Sequence, residues 1–199
     1  MAASISSYDE DWFPAADSAD DSLYDVLIDF QVEGLEGVYS DVLYGLFHGG
    51  DVFNGTSYSF ADPSLGYAFQ ATGDLHYYFP PLNGEVGDGP TANTLWGSID
   101  SITLGFELND DGSVYGDFIT FTFDQPLTGA LSEGRGNDVH DIIWGLINGL
   151  VVGADDSLGS GTNGGLLQAL IDNGLDVDAS IASLVGTAST TDADLALAA

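Results

Sequence analysis

The sequence predicts a single α+β domain, because its middle has the apolar pattern of strands and its second half that of helices. Residues 94–108 and 113–123 give the clearest strands, and apolar residues alternate with threonines in the second as in a half-buried strand. Residues 109–112, Asn-Asp-Asp-Gly, predict a hairpin turn between them. Apolar residues then recur at helical spacing from Val139 to Leu150 and from Leu166 to Ile171. Strands followed by helices are typical of an antiparallel sheet with helices packed on one face.

The other boundaries follow from cap and breaker signals. Residues 1–21 are acidic and contain proline, which predicts an exposed lead-in. Ser22 is a predicted N-cap of a helix whose apolar face runs from Leu23 to Phe30. Loops are predicted at 31–56 and 80–92, and short strands at 57–61, 66–71 and 74–79. The domain is therefore expected to span residues 22–186, with 187–199 as a tail.

Charge restricts the partners that this chain can have. It has 32 acidic residues against one basic residue, Arg135, and a formal net charge of −31. Such a surface repels phosphate backbones and anionic lipid, so neither nucleic acid nor membrane insertion is expected. A surface this acidic and free of lysine is typical of halophilic proteins, and also of many proteins exported by type I secretion.

Cysteine is absent, and the first residues have neither a basic start nor an apolar core. The sequence therefore predicts no disulfide, no thiolate metal site and no secretory signal peptide. No apolar run is long enough to span a bilayer.

Four blocks of sequence give the functional prediction. In chain order they are Gly73-Asp74-Leu75-His76-Tyr77-Tyr78, Asn93-Thr94-Leu95-Trp96-Gly97, Gly134-Arg135-Gly136-Asn137-Asp138-Val139-His140 and Asp194-Leu195-Ala196-Leu197-Ala198-Ala199. Together they resemble the HasA-type hemophores, secreted proteins that capture haem outside the cell, over residues 22–199. The resemblance implies a curved sheet, haem held between two loops, and a C-terminal signal for type I secretion.

By its position in this resemblance, Tyr77 is the ligand of ferric haem iron. A phenol has a pKa of about 10, and coordination to a ferric ion favours its deprotonated oxygen. Because a phenolate is a hard, anionic donor, it prefers ferric to ferrous iron, which suits capture in an oxidising medium. Without the resemblance, the residues alone favour an ordinary sheet tyrosine.

One departure from the family concerns the support of that tyrosine. Family members have a histidine just before the Thr-Leu-Trp-Gly motif, which hydrogen-bonds the tyrosine oxygen and can take its proton; here Asn93 stands in its place. An amide can hydrogen-bond the oxygen but is not a base near neutral pH. Either Glu85 or Asp88 substitutes, or the proton goes directly to water, and slower or more pH-sensitive haem uptake is predicted.

The second departure concerns the opposite haem face. In many family members a loop there gives a histidine, but residues 31–47 contain none. Three alternatives remain open: no protein ligand on that side, His48, or Tyr39, which a gap-free match puts at the histidine position. Glycines that follow His48 would let its loop approach haem closely.

Other residues match positions of the family's haem pocket or motif. They are His140, Trp144 and Ile147. Trp144 and Ile147 are also explained as plain core residues, and for His140 the edge of a packed helix is favoured over iron binding. Arg135 precedes a helix N-terminus, where backbone N–H groups favour anions, so it would suit a haem propionate or a salt bridge to a carboxylate. His76 adjoins Tyr77 and is therefore expected on the other face of the strand.

These observations predict a secreted, extracellular protein that binds ferric haem b and delivers it to an outer-membrane haem receptor. Host or environmental haemoproteins are expected sources of the haem. No nucleophile–base set, P-loop or dinucleotide fingerprint is apparent, so enzyme activity is not predicted. The alternative is an acidic exported interaction or adhesion protein that kept the fold but lost haem binding, which Asn93 and the short loop favour.

Overall fold

The computed structural model describes residues 2–32, 45–80, 82–84, 89–155 and 161–185. The strands are β1 (Ala3–Tyr8), β2 (Gly45–His48), β3 (Asn54–Asp62), β4 (Tyr67–Tyr78), β5 (Thr94–Gly105), β6 (Glu107–Leu108), β7 (Val114–Tyr115) and β8 (Ile119–Gly129). The helices are α1 (Leu23–Phe30), α2 (Asp138–Ile147) and α3 (Gly165–Asp172), and residues 181–185 are also helical. Short 3₁₀ helices lie at Glu10–Trp12, Gly89–Thr91 and Leu131–Gly136.

One antiparallel sheet organises the domain. Its strand order is β1-β8-β5-β4-β3-β2, so β1 and β2 form its edges and the sheet is not closed. The helices cover one face, where alternate strand residues such as Tyr67, Phe69 and Ala71 join the helix residues in a single apolar core. This arrangement confirms the predicted single α+β domain with helices on one face.

The helical predictions are confirmed except at two residues, Leu150 and Ile171. Ser22 caps α1 by accepting a hydrogen bond from the Asp25 backbone N–H, and the apolar face of α1 is buried. The stripe on α2 is likewise buried as far as Ile147, but Leu150 lies beyond the end of the helix and is half-buried. The prediction for Ile171 is wrong: its side chain is 42% exposed, because α3 ends one residue later and Ile171 lies on the outer side of that last turn.

The predicted lead-in of residues 1–21 differs from the structure. Residues 3–8 form edge strand β1, which pairs with β8 and buries Ala3 and Ile5. Phe13 is also in the core. Ala3 and Ile5 alternate with serines, but a strand this short is held by its pairing with β8 rather than by its own propensity.

The predicted loop of residues 31–56 also differs. Residues 45–48 form β2, and β3 begins at Asn54. The strands predicted at 66–71 and 74–79 are one strand, β4, whose register shifts between Thr72 and Leu75. Gly73, with a φ of 149°, allows this irregularity, because a Cβ there would collide with the Ser98 carbonyl oxygen.

The other face of the sheet is partly covered by the hairpin of β6 and β7. Its turn is the predicted one, closed by a hydrogen bond of 2.9 Å from the Gly112 N–H to the Asn109 carbonyl. Leu108 and Val114 pack on Ala61 and Ala68 of the sheet. We call this side of the sheet the outer face, and the side covered by the helices the inner face.

Candidate functional site

Tyr77 lies near the end of β4, on the inner face. It pairs with Leu95 of β5, and both residues pack against the core that also contains Leu75. Its ring stacks on that of Phe79, with centroids 5.6 Å apart and planes 13° apart. The phenol is therefore held at the rim of the core, half-buried, with apolar contacts on its ring.

The hydroxyl of Tyr77 makes no hydrogen bond to any residue that the structure describes. Burial raises the pKa of this phenol above its usual value, because the charged phenolate would lose hydration. Tyr77 is therefore a neutral phenol near pH 7. An interaction that favours the phenolate, such as coordination to a ferric ion, must remove its proton.

Asn93 directly precedes β5 and has a left-handed backbone, with φ of 58°. Asparagine tolerates this conformation better than most residues. Its side chain is half-buried, but it makes no hydrogen bond to the Tyr77 hydroxyl or to another described residue. The hydrogen bond that an amide at this position could make to the tyrosine oxygen is therefore not formed in the structure.

Arg135 lies in the 3₁₀ helix Leu131–Gly136 and reaches the segment that carries Asn93. Its Nη1 donates to the Ala92 carbonyl oxygen at 2.6 Å. The single cation of the chain thus braces the residue before Asn93. A guanidinium has five N–H donors, so this contact is compatible with an additional anionic partner.

His140 lies on α2 and is only 4% exposed. Its Nδ1 accepts a hydrogen bond of 3.1 Å from the Leu95 backbone N–H, and its ring is nearly parallel to that of Trp144 at 6.0 Å. Because Nδ1 accepts, that nitrogen carries no proton in this arrangement. Trp144 is half-buried, whereas Ile147 is part of the core.

His76 lies on the outer face, as predicted. Its Nδ1 is 2.7 Å from Oδ1 of Asn54, and its Nε2 is 3.1 Å from Oδ1 of Asp74. Its ring stacks on Trp96 at 4.3 Å. Asn54 Nδ2 donates to Asp51, which orients the amide oxygen toward His76. The ring is therefore held by Asn54, Asp74 and Trp96 within the outer face.

His48 also lies on the outer face and therefore does not face Tyr77. Its Nε2 is 2.7 Å from Oγ of Ser59, a fully buried residue, and its ring fills the space beside Gly112 of the hairpin. The sheet separates it from Tyr77. Tyr39, Glu85 and Asp88 lie outside the described residues.

The family of the chain follows from a comparison with known proteins. The model of the family of heme-binding protein A, HasA, matches residues 4–199. The chain belongs to the HasA family. The match begins within β1, so that strand lies inside the region shared with the family.

Solved HasA structures share the fold. A tyrosine-to-alanine mutant of HasA from Yersinia pseudotuberculosis and the holo hemophore HasA from Yersinia pestis each give a TM-score of 0.63 at 22% sequence identity, covering 92% of this chain and 96% of the other. An apo HasA structure from Yersinia pestis gives 0.62 at the same identity, covering 92% and 93%. No curated protein sequence matches the chain.

Within the described part of this HasA family member, no cluster of three or more His, Cys, Asp or Glu side chains is arranged to hold a metal ion. The same residues include no helix long and apolar enough to cross a membrane. Tyr77 is instead a single oxygen donor next to apolar surface, and this donor set would fit haem iron, because the porphyrin would supply most of the ligands of the iron.

Sequence reasoning missed Asn137, Asn83 and Phe79. Asn137 caps α2 and donates to the Leu95 carbonyl oxygen at 3.0 Å, and Asn83 donates to the Tyr77 carbonyl. Asparagine is a preferred N-cap, so the capping role of Asn137 could have been predicted. Its contact with β5 could not, because it depends on where two distant segments meet.

Proposed function

We propose that this protein captures ferric haem b outside the cell, with the oxygen of Tyr77 as the iron ligand, and carries it to an outer-membrane haem receptor. The observation that supports this best is Tyr77 itself. It is a half-buried phenol whose hydroxyl has no hydrogen bond to a described residue, in a chain of a haem-binding family. Bound haem would supply a ferric centre that accepts a hard oxygen donor.

The neighbours of Tyr77 would have separate roles. Phe79 and Leu95 limit the orientations of its ring, since one stacks on it and the other pairs with it across the strands. Trp144, half-buried on α2, would offer an aromatic surface to the porphyrin. Arg135 would pair with a propionate while bracing Ala92. Ile147 would support the pocket from within the core.

Haem capture would require Tyr77 to lose its proton. The raised pKa of this phenol means that the proton is still present near neutral pH. Asn93 cannot accept it, because an amide is not a base. We propose that the proton passes to water, or to Glu85 or Asp88.

For the opposite haem face we propose no protein ligand among the described residues. His48 is bound to Ser59 on the outer face, so it would have to cross the sheet to reach the iron that Tyr77 binds. Tyr39 remains an alternative outside the described residues.

The protein would act as a carrier rather than an enzyme. We propose that it is secreted by the type I route through the tail of residues 187–199, and that it takes haem from the medium or from haemoproteins. The chain has a net charge of −31, and repulsion among its acidic residues weakens when salt screens it. Because such a chain is more stable in high salt, the composition predicts a halophilic source.

A visible-spectrum titration with ferric haem in high salt tests the proposal. Wild type and Tyr115→Phe should give a saturable one-to-one spectrum, whereas Tyr77→Phe should lose or visibly change it. Tyr115 is a suitable control because it is 51% exposed on β7, on the other side of the sheet. An unchanged spectrum in Tyr77→Phe would contradict the tyrosine ligand.

The second candidate function is an acidic exported interaction protein that kept the fold without haem. The missing hydrogen bond between Asn93 and Tyr77 favours it, because that position has lost its support of the ligand. No saturable haem binding by wild type at any salt concentration or pH would favour this function over haem capture.

A further inference from the structure

The start of β5 pairs with β4 on one side, but on its other side it is held by side chains instead of by a strand. The last residue of β8, Gly129, pairs with Gly97, so residues 94–96 extend beyond β8. On the side that β8 leaves open, the Leu95 N–H donates to His140 Nδ1 at 3.1 Å, and the Leu95 carbonyl oxygen accepts from Asn137 Nδ2 at 3.0 Å. The side chains of the α2 N-cap, Asn137, and of His140 in its first turn thus replace one residue of a missing strand.

This pair of side chains, which we call the Leu95 clamp, is rigidly built. Asn137 is 3% exposed and His140 is 4% exposed. Asn137 Oδ1 accepts from the His140 backbone N–H at 3.0 Å, so the two residues that hold Leu95 also hold each other. Gly129 makes room for them, because a Cβ there would collide with the Asn137 side-chain amide.

The clamp acts at the residue directly opposite Tyr77. The Tyr77 N–H donates to the Phe53 carbonyl oxygen at 2.7 Å, and its carbonyl accepts from Asn83, so its backbone bonds point away from Leu95. Tyr77 and Leu95 therefore form a pair without mutual hydrogen bonds, in which the side chains approach most closely. The position of Tyr77 relative to α2 then depends on the hydrogen bonds that Asn137 and His140 make to Leu95 on the other side of β5.

From this geometry we infer that Asn137 and His140 are positioning residues for the tyrosine ligand, acting through Leu95. The inference rests on the proposed haem capture by Tyr77. It gives His140 a different role from a direct contact with haem: its Nδ1 is committed to the Leu95 backbone. A buried backbone N–H at the end of a strand needs such an acceptor, because water does not reach it.

Three variants test the inference. His140→Ala removes the acceptor, whereas His140→Asn returns a carbonyl oxygen near the place of Nδ1. Asn173→Ala is the control, because Asn173 is similarly buried, 6% exposed, but caps α3 away from β5. Urea unfolding of each variant gives its stability, so that a general loss of folding can be separated from a local change.

Two readouts are needed, one without haem. In the haem-free protein, amide hydrogen exchange at Leu95 should become at least about tenfold faster in His140→Ala, because a buried N–H loses its partner. In the ferric haem titration, the same variant should bind about 10–100-fold more weakly, as when outer partners of metal ligands are removed. His140→Asn should recover most of both effects, and Asn173→Ala should show neither.

The outcomes separate this inference from the proposed function. If wild type fails to bind haem, the proposed function is wrong. The positioning role of Asn137 and His140 for the tyrosine ligand is then wrong as well, even when hydrogen exchange at Leu95 responds as expected. If wild type binds haem through Tyr77 but His140→Ala binds equally well, the positioning role is overturned while haem capture stands. Equal weakening in His140→Ala and Asn173→Ala would also overturn it, because lost stability would then explain both.

Discussion

His76 and Tyr77 are consecutive residues of β4 that meet opposite environments. On the outer face, His76 is hydrogen-bonded to Asn54 through Nδ1, lies 3.1 Å from the Asp74 carboxylate through Nε2, and stacks on Trp96. On the inner face, the Tyr77 ring packs on apolar residues, and its hydroxyl has no partner among the described residues. One strand therefore presents a polar side chain held by its neighbours and one whose hydroxyl has no described partner, one residue apart.

The difference shows where function is to be sought in this fold. Buried polar groups in proteins are nearly always hydrogen-bonded, so an exception needs an explanation. His76 meets the rule and is explained by the packing of the outer face. The rule does not apply to Tyr77, which is only half-buried and whose hydroxyl is not among the buried atoms without a partner. Its oxygen lies beside apolar residues and is accessible from outside the chain, as a ligand atom has to be.

The largest effect on stability is expected at Gly97, because the register that sets both faces of β4 and β5 depends on it. Gly97 pairs with Leu75 and with Gly129, and its φ is 120°. In Gly97→Ala, the new Cβ would collide with the Asp74 carbonyl oxygen in addition to the strain of the positive φ. We expect the free energy of unfolding to fall by about 2–5 kcal/mol, measured by urea unfolding.

Gly89→Ala is the matched control for that prediction. Gly89 also has a positive φ, 60°, but a Cβ there would meet no atom of the described residues within 4 Å. It should cost only about 1–2 kcal/mol from backbone strain. Equal losses in the two variants would contradict the close approach of β4 and β5 at Gly97, and with it the shared origin of the two faces.

Sequence patterns predicted the parts of the molecule that are determined locally. The apolar stripe of α2 and the turn at 109–112 follow from spacing and from turn residues, and both are present. Strand β2 was missed, because four residues become a strand only through pairing with β3. The face of the sheet on which His48 lies likewise depended on strand pairing. The face of His76 could be predicted, because neighbouring residues of a strand point to opposite faces and Tyr77 comes next.

The site could be predicted only in part, for the same reason. Tyr77 and Asn93 were identified as candidates from motifs. The contacts of Leu95 with Asn137 and His140 join residues that are 42 and 45 positions apart. No local pattern encodes such a meeting, because the register of β4, β5 and β8 must first put Leu95 beside the N-terminus of α2.

A basic residue beside Tyr77 should give its hydroxyl a partner, as His76 already has on the outer face. In wild type, the fraction of deprotonated phenol increases about tenfold per pH unit below its raised pKa, so haem uptake should accelerate with pH. In Asn93→His, an imidazole that is neutral above about pH 6.5 can accept the proton, and uptake near pH 7 should be about tenfold faster with a flatter pH profile. Stopped-flow mixing with ferric haem measures both profiles.

Asn109→His serves as the control for uptake, since it adds a histidine to the hairpin of the outer face. It should keep the wild-type pH profile. Identical profiles for wild type and Asn93→His would contradict the idea that proton loss from Tyr77 limits uptake. The backbone poses no obstacle to the exchange, because histidine shares with asparagine an increased tolerance of the left-handed conformation.

The smallest effect is expected at His76. Its contact with Asp74 is largely open to water, since the Asp74 side chain is 81% exposed, so it contributes little. The stabilisation comes from stacking on Trp96 and from the hydrogen bond to Asn54. His76→Ala should lower the free energy of unfolding by about 1–2 kcal/mol, and His76→Phe by less, because it keeps an aromatic ring on Trp96. Neither should alter the spectrum of the ferric haem complex. A changed spectrum in both variants would mean that the two faces of β4 are coupled through the strand, and that Tyr77 depends on its outer-face neighbour as well as on Leu95.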